Sequence, residues 1–286
     1  MPPLAASAPT SRTRSGRTDR GAWGGGGSVA AVSHVNPVAA GGFSAAAGHY
    51  ARARPTYARP AVGLLKESIP AGAVLDLAAG TGILTGQLFR AGRAVVAVEP
   101  LGEMLAQLRL SLPAVPCLQA AAEALPFADG SFAGVTVAQA FHWFDAPSAL
   151  AEIARVLEPG GVLAMVWNVR DESVPWVREL TDLVHVRSGG RPYDDHREQP
   201  WEDVVAASGW YAPVAVARFA NPVASSPALV AARVRSTSFV AMMDDAERES
   251  LLAEVADLVG SADGIAGRDH FDYPHDTVVY LCPTPT

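Results

Sequence analysis

Short apolar runs recur along the middle of the chain, at residues 73–76, 94–98, 133–137 and 161–167. Each is too short for a buried helix and reads as a strand. Between them, residues 83–91, 101–111 and 147–157 carry helical spacing. Alternating strands and helices predict βαβ units and a parallel sheet. The strands are apolar almost without interruption, which fits a sheet covered on both faces. Residues 44–65 read as helical pieces around an Arg54-Pro55-Thr56-Tyr57 turn. Glu158-Pro-Gly-Gly161 reads as a stop between a helix and the next strand. Asp129-Gly130-Ser131 reads as a turn before a strand.

Beyond Asn168 the texture changes. Residues 174–186 space Val177, Leu180, Leu183 and Val184 as a helix does, and a polar loop follows at 188–198. Residues 204–208 end a further short helix. Residues 214–219 alternate as an antiparallel strand, and 277–281 close the chain as a strand. Residues 244–259 form an amphipathic helix with Leu251, Leu252, Val255, Leu258 and Val259 on one side. The expected fold class is α/β. It is a Rossmann-like, doubly wound, mostly parallel sheet with an antiparallel C-terminal strand pair and helices on both faces.

Composition separates the ends of the chain. Residues 1–42 are rich in Ala, Gly, Ser, Pro and Arg, with the single acid Asp19. Such a segment buries too little apolar surface to offset its ordering entropy, so it is expected to be a disordered extension. It lacks the apolar stretch of a secretion signal. One domain is expected over 43–286, with a core at 62–168 and a substrate-covering insert at about 170–210. The net charge of −7 disfavours a nucleic-acid binder. Cys117 and Cys282 are too far apart in sequence to suggest a disulfide framework or zinc site, so a reducing cytoplasm is the expected location. No apolar run reaches the ~20 residues of a membrane-spanning helix. No metal site is expected.

Candidate chemistry gathers at Val74-Leu-Asp-Leu-Ala-Ala-Gly-Thr-Gly82. A strand runs into a small-residue turn and then a helix, and ligands of open α/β sheets bind at such strand ends. Small residues let the backbone approach a ligand. A dinucleotide site would carry G-x-G-x-x-G for its pyrophosphate. Here Ala78 replaces the first glycine and Asp76 stands ahead of the turn, where it would repel pyrophosphate. Asp76 suits the ammonium of an amino-acid tail, directly or through water. Glu99, closing the next strand, can accept hydrogen bonds from two ribose hydroxyls. The combination favours S-adenosyl-L-methionine (SAM) over a nicotinamide dinucleotide, and so predicts methyl transfer. Ala78, Gly80, Thr81 and Gly82 belong to this expected cofactor site. Asn168, at the end of the fourth run, is the expected polar contact to substrate.

With these motifs the chain resembles a class I SAM-dependent methyltransferase. The resemblance runs from about Phe43 to Trp167. It rests on the turn, on Val95-Val-Ala-Val-Glu-Pro100, and on Ala122-Glu-Ala-Leu-Pro-Phe127 with Asp129-Gly-Ser-Phe132. It also rests on Val135-Thr-Val-Ala-Gln-Ala-Phe-His-Trp-Phe-Asp145 and Glu152-Ile-Ala-Arg-Val-Leu-Glu-Pro-Gly-Gly161. The Ala138-Gln-Ala-Phe-His-Trp-Phe144 run, with Tyr50-Ala-Arg-Ala-Arg-Pro-Thr-Tyr57, is similar to the trans-aconitate methyltransferase branch. The resemblance implies Asp76, Gly80 and Gly82 around the methionine part, Glu99 on the ribose and Pro100 beside the adenine. Family members often carry an Asp where this chain has Ala121. Ala122 or Glu123 is the expected substitute. Gln139 is implied near the methyl donor, and Phe141, His142 and Trp143 are implied to face the substrate.

The expected acceptor is a small molecule bearing a carboxylate or hydroxyl, methylated by in-line displacement. A carboxylate needs no base. For a protonated nucleophile His142 is the first candidate and Tyr57 the second. Tyr57 would either lid the cofactor or cap the N-terminal helix. Gly82→Arg or Asp76→Ala is expected to abolish SAM binding. Two alternatives stay open: a catalytically silent SAM-binding regulator and an NAD-dependent oxidoreductase. The expected assembly is a monomer or homodimer.

Overall fold

The computed structural model describes residues 54–188 and 200–286. The extension expected at 1–42, the helical pieces before residue 54 and most of the 188–198 loop lie outside the described residues. The first five strands are β1 (Ala73–Leu77), β2 (Ala94–Val98), β3 (Cys117–Leu118), β4 (Phe132–Ala138) and β5 (Leu157–Arg170). They are followed by β6 (Ala215–Ala220), β7 (Val223–Ser225), β8 (Phe271–Tyr273) and β9 (His275–Pro283). Seven form one sheet in the order β3-β2-β1-β4-β5-β9-β6. The first five pair in parallel, whereas β9 runs antiparallel to both β5 and β6. Strand order reverses direction between β1 and β4, the place where open sheets leave a crevice. Strands β7 and β8 make a separate antiparallel pair.

Helices α1 (Arg59–Ser68), α2 (Ile83–Arg90), α3 (Gly102–Ser111) and α4 (Ala146–Val156) surround the parallel half. A two-residue alternation on β1 divides the core. Leu75 and Leu77 join an apolar cluster with Leu150 and Ile153 of α4, and Val74 joins one with Leu65 of α1 and Leu88 of α2. Four of the five β1 residues are buried, so the strand is covered on both sides.

Glu158-Pro-Gly-Gly161 does more than stop a helix. Strand β5 begins at Leu157, directly after α4. Phe132 pairs with Leu157, but Gly134 pairs with Val162, so the surplus residues bulge out. Gly160 takes φ 75° there, a conformation natural to glycine.

A second core lies outside the sheet. Helices α5 (Pro175–Ser188), α6 (Trp201–Ser208), α7 (Pro227–Arg235), α8 (Ser238–Ala241) and α9 (Asp245–Ser261) follow β5 in the chain. Val177 and Leu180 of α5, Val230 and Val234 of α7 and Leu251 and Val255 of α9 bury together with Phe271 and Tyr273 of β8. This core draws on residues well past 210, beyond the expected insert. Helix α6 instead packs on the sheet core, through Trp201 and Val205. On α9, Leu251, Leu252, Val255 and Val259 are buried as their spacing predicts.

Candidate functional site

At the carboxyl end of β1 the chain leaves the sheet through Ala78, with φ 52°. Gln139, just past β4, takes φ 56°. Among the described residues these are the non-glycine residues with positive φ, and both line one cavity. Each such conformation costs on the order of 1–3 kcal/mol and persists only where the surroundings enforce it. Here the sheet ladder does so: the Ala79 N–H donates to Val98 O at 3.0 Å, and the Gln139 N–H donates to Val166 O at 3.0 Å.

The cavity opens at the β1–β4 switch point. Asp76, Ala78, Gly80, Thr81, Glu99, Pro100, Ala122, Glu123 and Gln139 all line it, as do Tyr57, Trp143 and Asn168. Twelve residues expected from the sequence are thereby gathered from six separate stretches of the chain.

Two carboxyls lie at the buried side of the site. Asp76 is 1% exposed and accepts from the Thr85 hydroxyl at 2.5 Å and the Thr136 hydroxyl at 2.7 Å. Burial raises its pKa to about 6, against the two hydroxyls, which pull it down. Glu99 is 4% exposed and accepts from the Leu101 N–H at 2.9 Å and the Gly80 N–H at 2.8 Å. Burial raises it to about 7, and the charge of Asp76 adds to the rise. Glu99 therefore clamps the turn to the end of β2 as well as facing the cavity.

Two polar atoms in this wall are buried without a partner among the described residues: Thr81 Oγ1 and Gln139 Oε1. A buried acceptor left unsatisfied costs about 1–3 kcal/mol. Such atoms at a cavity wall await a ligand. A donor-rich ligand carrying positive charge fits both these acceptors and the strained acids. The amino-acid tail, sulfonium and ribose of SAM have those properties.

Gly82 departs from expectation. It does not line the cavity. It takes φ 89° at the N-terminus of α2, and a Cβ there would meet Leu112 at 3.0 Å and Leu108 at 3.1 Å. Its task is the turn and the close approach of α3, so a side chain there acts through packing.

The aromatic run after β4 also divides. Residues Phe141–Trp143 form a single 3-10 turn. Trp143 and Phe144 reach the cavity. Phe141 is 1% exposed and packs edge-on against Phe144 and Trp201, with centroids at 5.7 and 5.3 Å. It is a core residue, contrary to its expected place beside substrate. His142 does not line the cavity either. Its ring is 4.5 Å from Trp143 and 5.4 Å from Trp167.

Asn168 lines the cavity, but its side chain also ties segments together. Its Nδ2 donates to Thr56 O at 3.2 Å, and its Oδ1 accepts from the Thr277 hydroxyl at 2.6 Å and Asn221 Nδ2 at 3.1 Å. Gln87 of α2 holds the same segment from the other side, accepting from the Tyr57 N–H at 3.0 Å and donating to Tyr57 O at 2.8 Å. Tyr57 is 7% exposed, so it is both cavity wall and buried anchor.

The Ala122–Phe127 motif has a structural reason. Arg155 of α4 donates to the carbonyls of Phe127 at 2.8 Å and Leu125 at 3.1 Å, and pairs with Asp129 at 2.7 Å and Glu152 at 2.7 Å. Glu152 in turn accepts from the Leu125 N–H at 2.7 Å. This network fixes the loop that brings Ala121, Ala122 and Glu123 to the cavity. Glu123 accepts from the Asp145 N–H at 3.0 Å, which joins that loop to the start of α4.

Sequence reasoning missed the apolar wall of Ile83, Leu101, Met104 and Phe144, and the cation Arg54 at the rim. Leu101 and Met104 follow directly on Glu99-Pro100, so the motif already pointed to them.

A sheet of this order with a cavity at its switch point defines a Rossmann-like α/β ligand-binding protein. Residues 75–165 match the family described as a methyltransferase domain. An uncharacterized methyltransferase of Mycobacterium tuberculosis is 48% identical over 159 residues, covering 55% of this chain and 62% of the relative. The chain thus spans somewhat under two thirds of that relative's length. A solved candidate type II methyltransferase from Anaeromyxobacter dehalogenans has a TM-score of 0.60 at 24% identity, over 81% of this chain and 97% of that one. A phosphoethanolamine N-methyltransferase 2 of Haemonchus contortus, solved with SAM, has a TM-score of 0.52 at 19% identity, over 85% of this chain and 57% of that one. These two structures share the fold.

Proposed function

We propose that this protein is a SAM-dependent methyltransferase acting on a small-molecule acceptor. One observation carries the reading. Two buried, charge-strained carboxyls flank a glycine turn whose wall also holds the unpartnered acceptors Thr81 Oγ1 and Gln139 Oε1. The match of residues 75–165 to a methyltransferase domain supports it. The Ala138-Gln-Ala-Phe-His-Trp-Phe144 run resembles the trans-aconitate methyltransferase branch. In this reading the protein is cytoplasmic, a monomer or homodimer, and does not act on nucleic acid.

When bound, SAM supplies a methyl group already attached to a good leaving group. The chain then has to hold, align and dry the site. Each Glu99 oxygen gives one lone pair to a backbone N–H and keeps another for a ribose hydroxyl. Asp76 contributes negative charge beneath the turn while its threonine partners fix its rotamer. Gln139 Oε1 accepts from an ammonium donor, and Gln139 Nε2 is held by Asn168 O at 3.1 Å. Tyr57, Trp143 and Phe144 exclude water from the acceptor side. A carboxylate acceptor needs no base. For a hydroxyl, Tyr57 is in the wall, and the His142 ring lies 4.5 Å from that of Trp143.

Calorimetry with S-adenosylhomocysteine tests the assignment. Micromolar binding is expected for the wild type, and Glu99→Ala should weaken it about 100-fold by removing two charge-assisted contacts. An unchanged affinity in the variant would sink the site. Turnover assays across small acids and alcohols then separate an enzyme from a silent SAM-binding regulator, which would bind without turnover.

A further inference from the structure

One short segment of the cavity wall is held in place by side chains. Residues 55–58 belong to no strand, and helix α1 starts only at Arg59. Such a segment has to find partners for its backbone groups outside a ladder or a helix. The Gln87 amide spans Tyr57, accepting from its N–H at 3.0 Å and donating to its carbonyl at 2.8 Å. Asn221 Nδ2 donates to Thr56 O at 2.8 Å, and Asn168 Nδ2 donates to the same carbonyl at 3.2 Å. The Thr277 hydroxyl accepts from the Ala58 N–H at 2.9 Å and donates to Asn168 Oδ1 at 2.6 Å.

These side chains come from two separate parts of the fold. Asn168 and Thr277 face each other in register on β5 and β9, and the Asn221 N–H donates to His275 O of β9 at 2.7 Å. That side of the grip belongs to the antiparallel end of the sheet. Gln87 instead stands on α2, which is capped by Gly82 at the end of the cofactor turn. Thr85 lies two residues before Gln87 on the same helix, and its hydroxyl donates to Asp76 at 2.5 Å. Residues two apart on a helix point to different sides. A single turn of α2 therefore grips the acid beneath the cofactor turn with Thr85 and the Tyr57 segment with Gln87. Gln87 does not line the cavity, whereas Pro55 and Tyr57 do. It reaches the site through the backbone it holds.

We propose that Gln87 is a positioning residue that couples the cofactor turn to the Tyr57 wall. The inference rests on the methyltransferase reading for the ligand seated at the turn. A ligand there fixes the start of α2, and the helix carries that constraint one turn along to Gln87. Gln87 in turn holds both backbone groups of Tyr57. A segment tied down by single side-chain bonds opens locally more readily than a strand inside a ladder. When it opens, the cavity loses Pro55 and Tyr57 from its wall. Cofactor binding thus favours the closed wall, and by linkage the closed wall favours the cofactor to the same extent. The acceptor then meets a completed wall only after the cofactor is in place.

Amide hydrogen exchange at Ala58 in the full chain reads the coupling, because that N–H is held by Thr277 and not by Gln87. In the wild type, saturating S-adenosylhomocysteine should slow its exchange about tenfold. Gln87→Met keeps the length and helix preference of the side chain but loses both bonds to Tyr57. In that variant the ligand should change Ala58 exchange by less than about twofold, and ligand affinity should fall by up to about tenfold. Gln87→Glu, which when ionised loses the donor to Tyr57 O, gives a second and independent reading of the same loss. Asn221→Ala loosens the segment from the sheet side instead. Ala58 should exchange faster there without ligand, yet the slowing by ligand should persist. A merely structural role would make the Gln87 and Asn221 variants respond to ligand alike, and that result overturns the coupling. So does slowing in Gln87→Met equal to wild type, or no slowing in a wild type that binds the ligand. A wild type that does not bind S-adenosylhomocysteine at all defeats the methyltransferase reading, and the coupling falls with it; binding without coupling defeats this inference alone.

Discussion

The two walls of the cavity are built by opposite strategies. The wall proposed for the cofactor comes from one stretch, residues 76–123, in which a turn, two acids and a loop follow each other across neighbouring parallel strands. The wall proposed for the acceptor is assembled from Arg54 and Tyr57, from Gln139, Ala140, Trp143 and Phe144, and from Asn168. The first relies on backbone conformations and short hydrogen-bonded contacts that few sequences can supply. The second relies on side chains delivered by separate elements, from the segment before α1 to the end of β5. The division suits a common cofactor paired with a variable acceptor: ligand-binding residues on elements outside the rigid sheet are the part that can change.

The largest expected effect tests whether the aromatic run belongs to one wall or to the core. Phe141→Ala should cost about 3–5 kcal/mol of stability, the usual loss for a buried phenylalanine. Its edge-on contacts with Phe144 and Trp201 are what disappear. Chemical denaturation of the variant reads the loss, and affinity for S-adenosylhomocysteine in the surviving folded protein should be little changed. A stable variant that loses acceptor turnover instead would return Phe141 to the substrate face.

The same contrast governs how much the sequence disclosed. Strands β1, β2 and β4 and helices α2–α4 fall within a residue or two of their apolar runs, because local periodicity and burial agree there. Asp76, Gly80, Glu99 and Gln139 were legible because strand ends in a parallel sheet converge on one edge. Strand β3 was not, since Cys117–Leu118 is a two-residue edge directly after Pro116 and leaves no periodicity. Helix α7 had a usable signal: Ser226 stands as N-cap ahead of Pro227, and its hydroxyl accepts from the Leu229 N–H at 3.2 Å. Arg233 and Tyr273 meet only through tertiary packing, so no spacing in the chain could pair them. Phe141 and Trp143 are two residues apart on a tight turn, and only the fold decides which one points inward.

A smaller effect probes the charge of the cofactor wall. Burial raises Glu99 from 4.5 to about 7 and Asp76 from 3.8 to about 6. Between about pH 4 and pH 7 these acids bind more protons in the folded protein than in the unfolded chain, while His275, lowered by burial from 6.5 to about 4, binds fewer and offsets about half of their effect. Stability of the ligand-free protein should fall as pH rises through that window and level off above it, by on the order of 2–3 kcal/mol. SAM, a cation, should flatten the decline and release protons on binding near neutral pH, whereas neutral S-adenosylhomocysteine should do so less. Melting curves from pH 5 to 8, with each ligand and without, read this directly. A flat ligand-free profile would mean that the acids are not strained, and the fit to a cationic cofactor would lose its electrostatic support.

The smallest effect sharpens the cofactor wall at its weakest point. Ala121 lines the cavity where the resemblance implies an acid that accepts from the adenine amine, and alanine offers nothing there. Its loop is already rigid, because Arg155 holds the carbonyls of Leu125 and Phe127 and Glu123 is tied to the Asp145 N–H. An acid introduced at this position would meet a fixed ligand edge and pay little ordering entropy. It would also stand near Glu123 and Glu99, so repulsion offsets part of the gain. A net improvement of about 1 kcal/mol, or roughly fivefold in affinity for S-adenosylhomocysteine, is expected of Ala121→Asp. The inosine analogue, which lacks the amine, should bind the variant no better than it binds the wild type. Equal gain for both ligands would mean that the new carboxylate acts through general charge. No gain for either would move the adenine away from Ala121, and the cofactor wall would then end at Pro100.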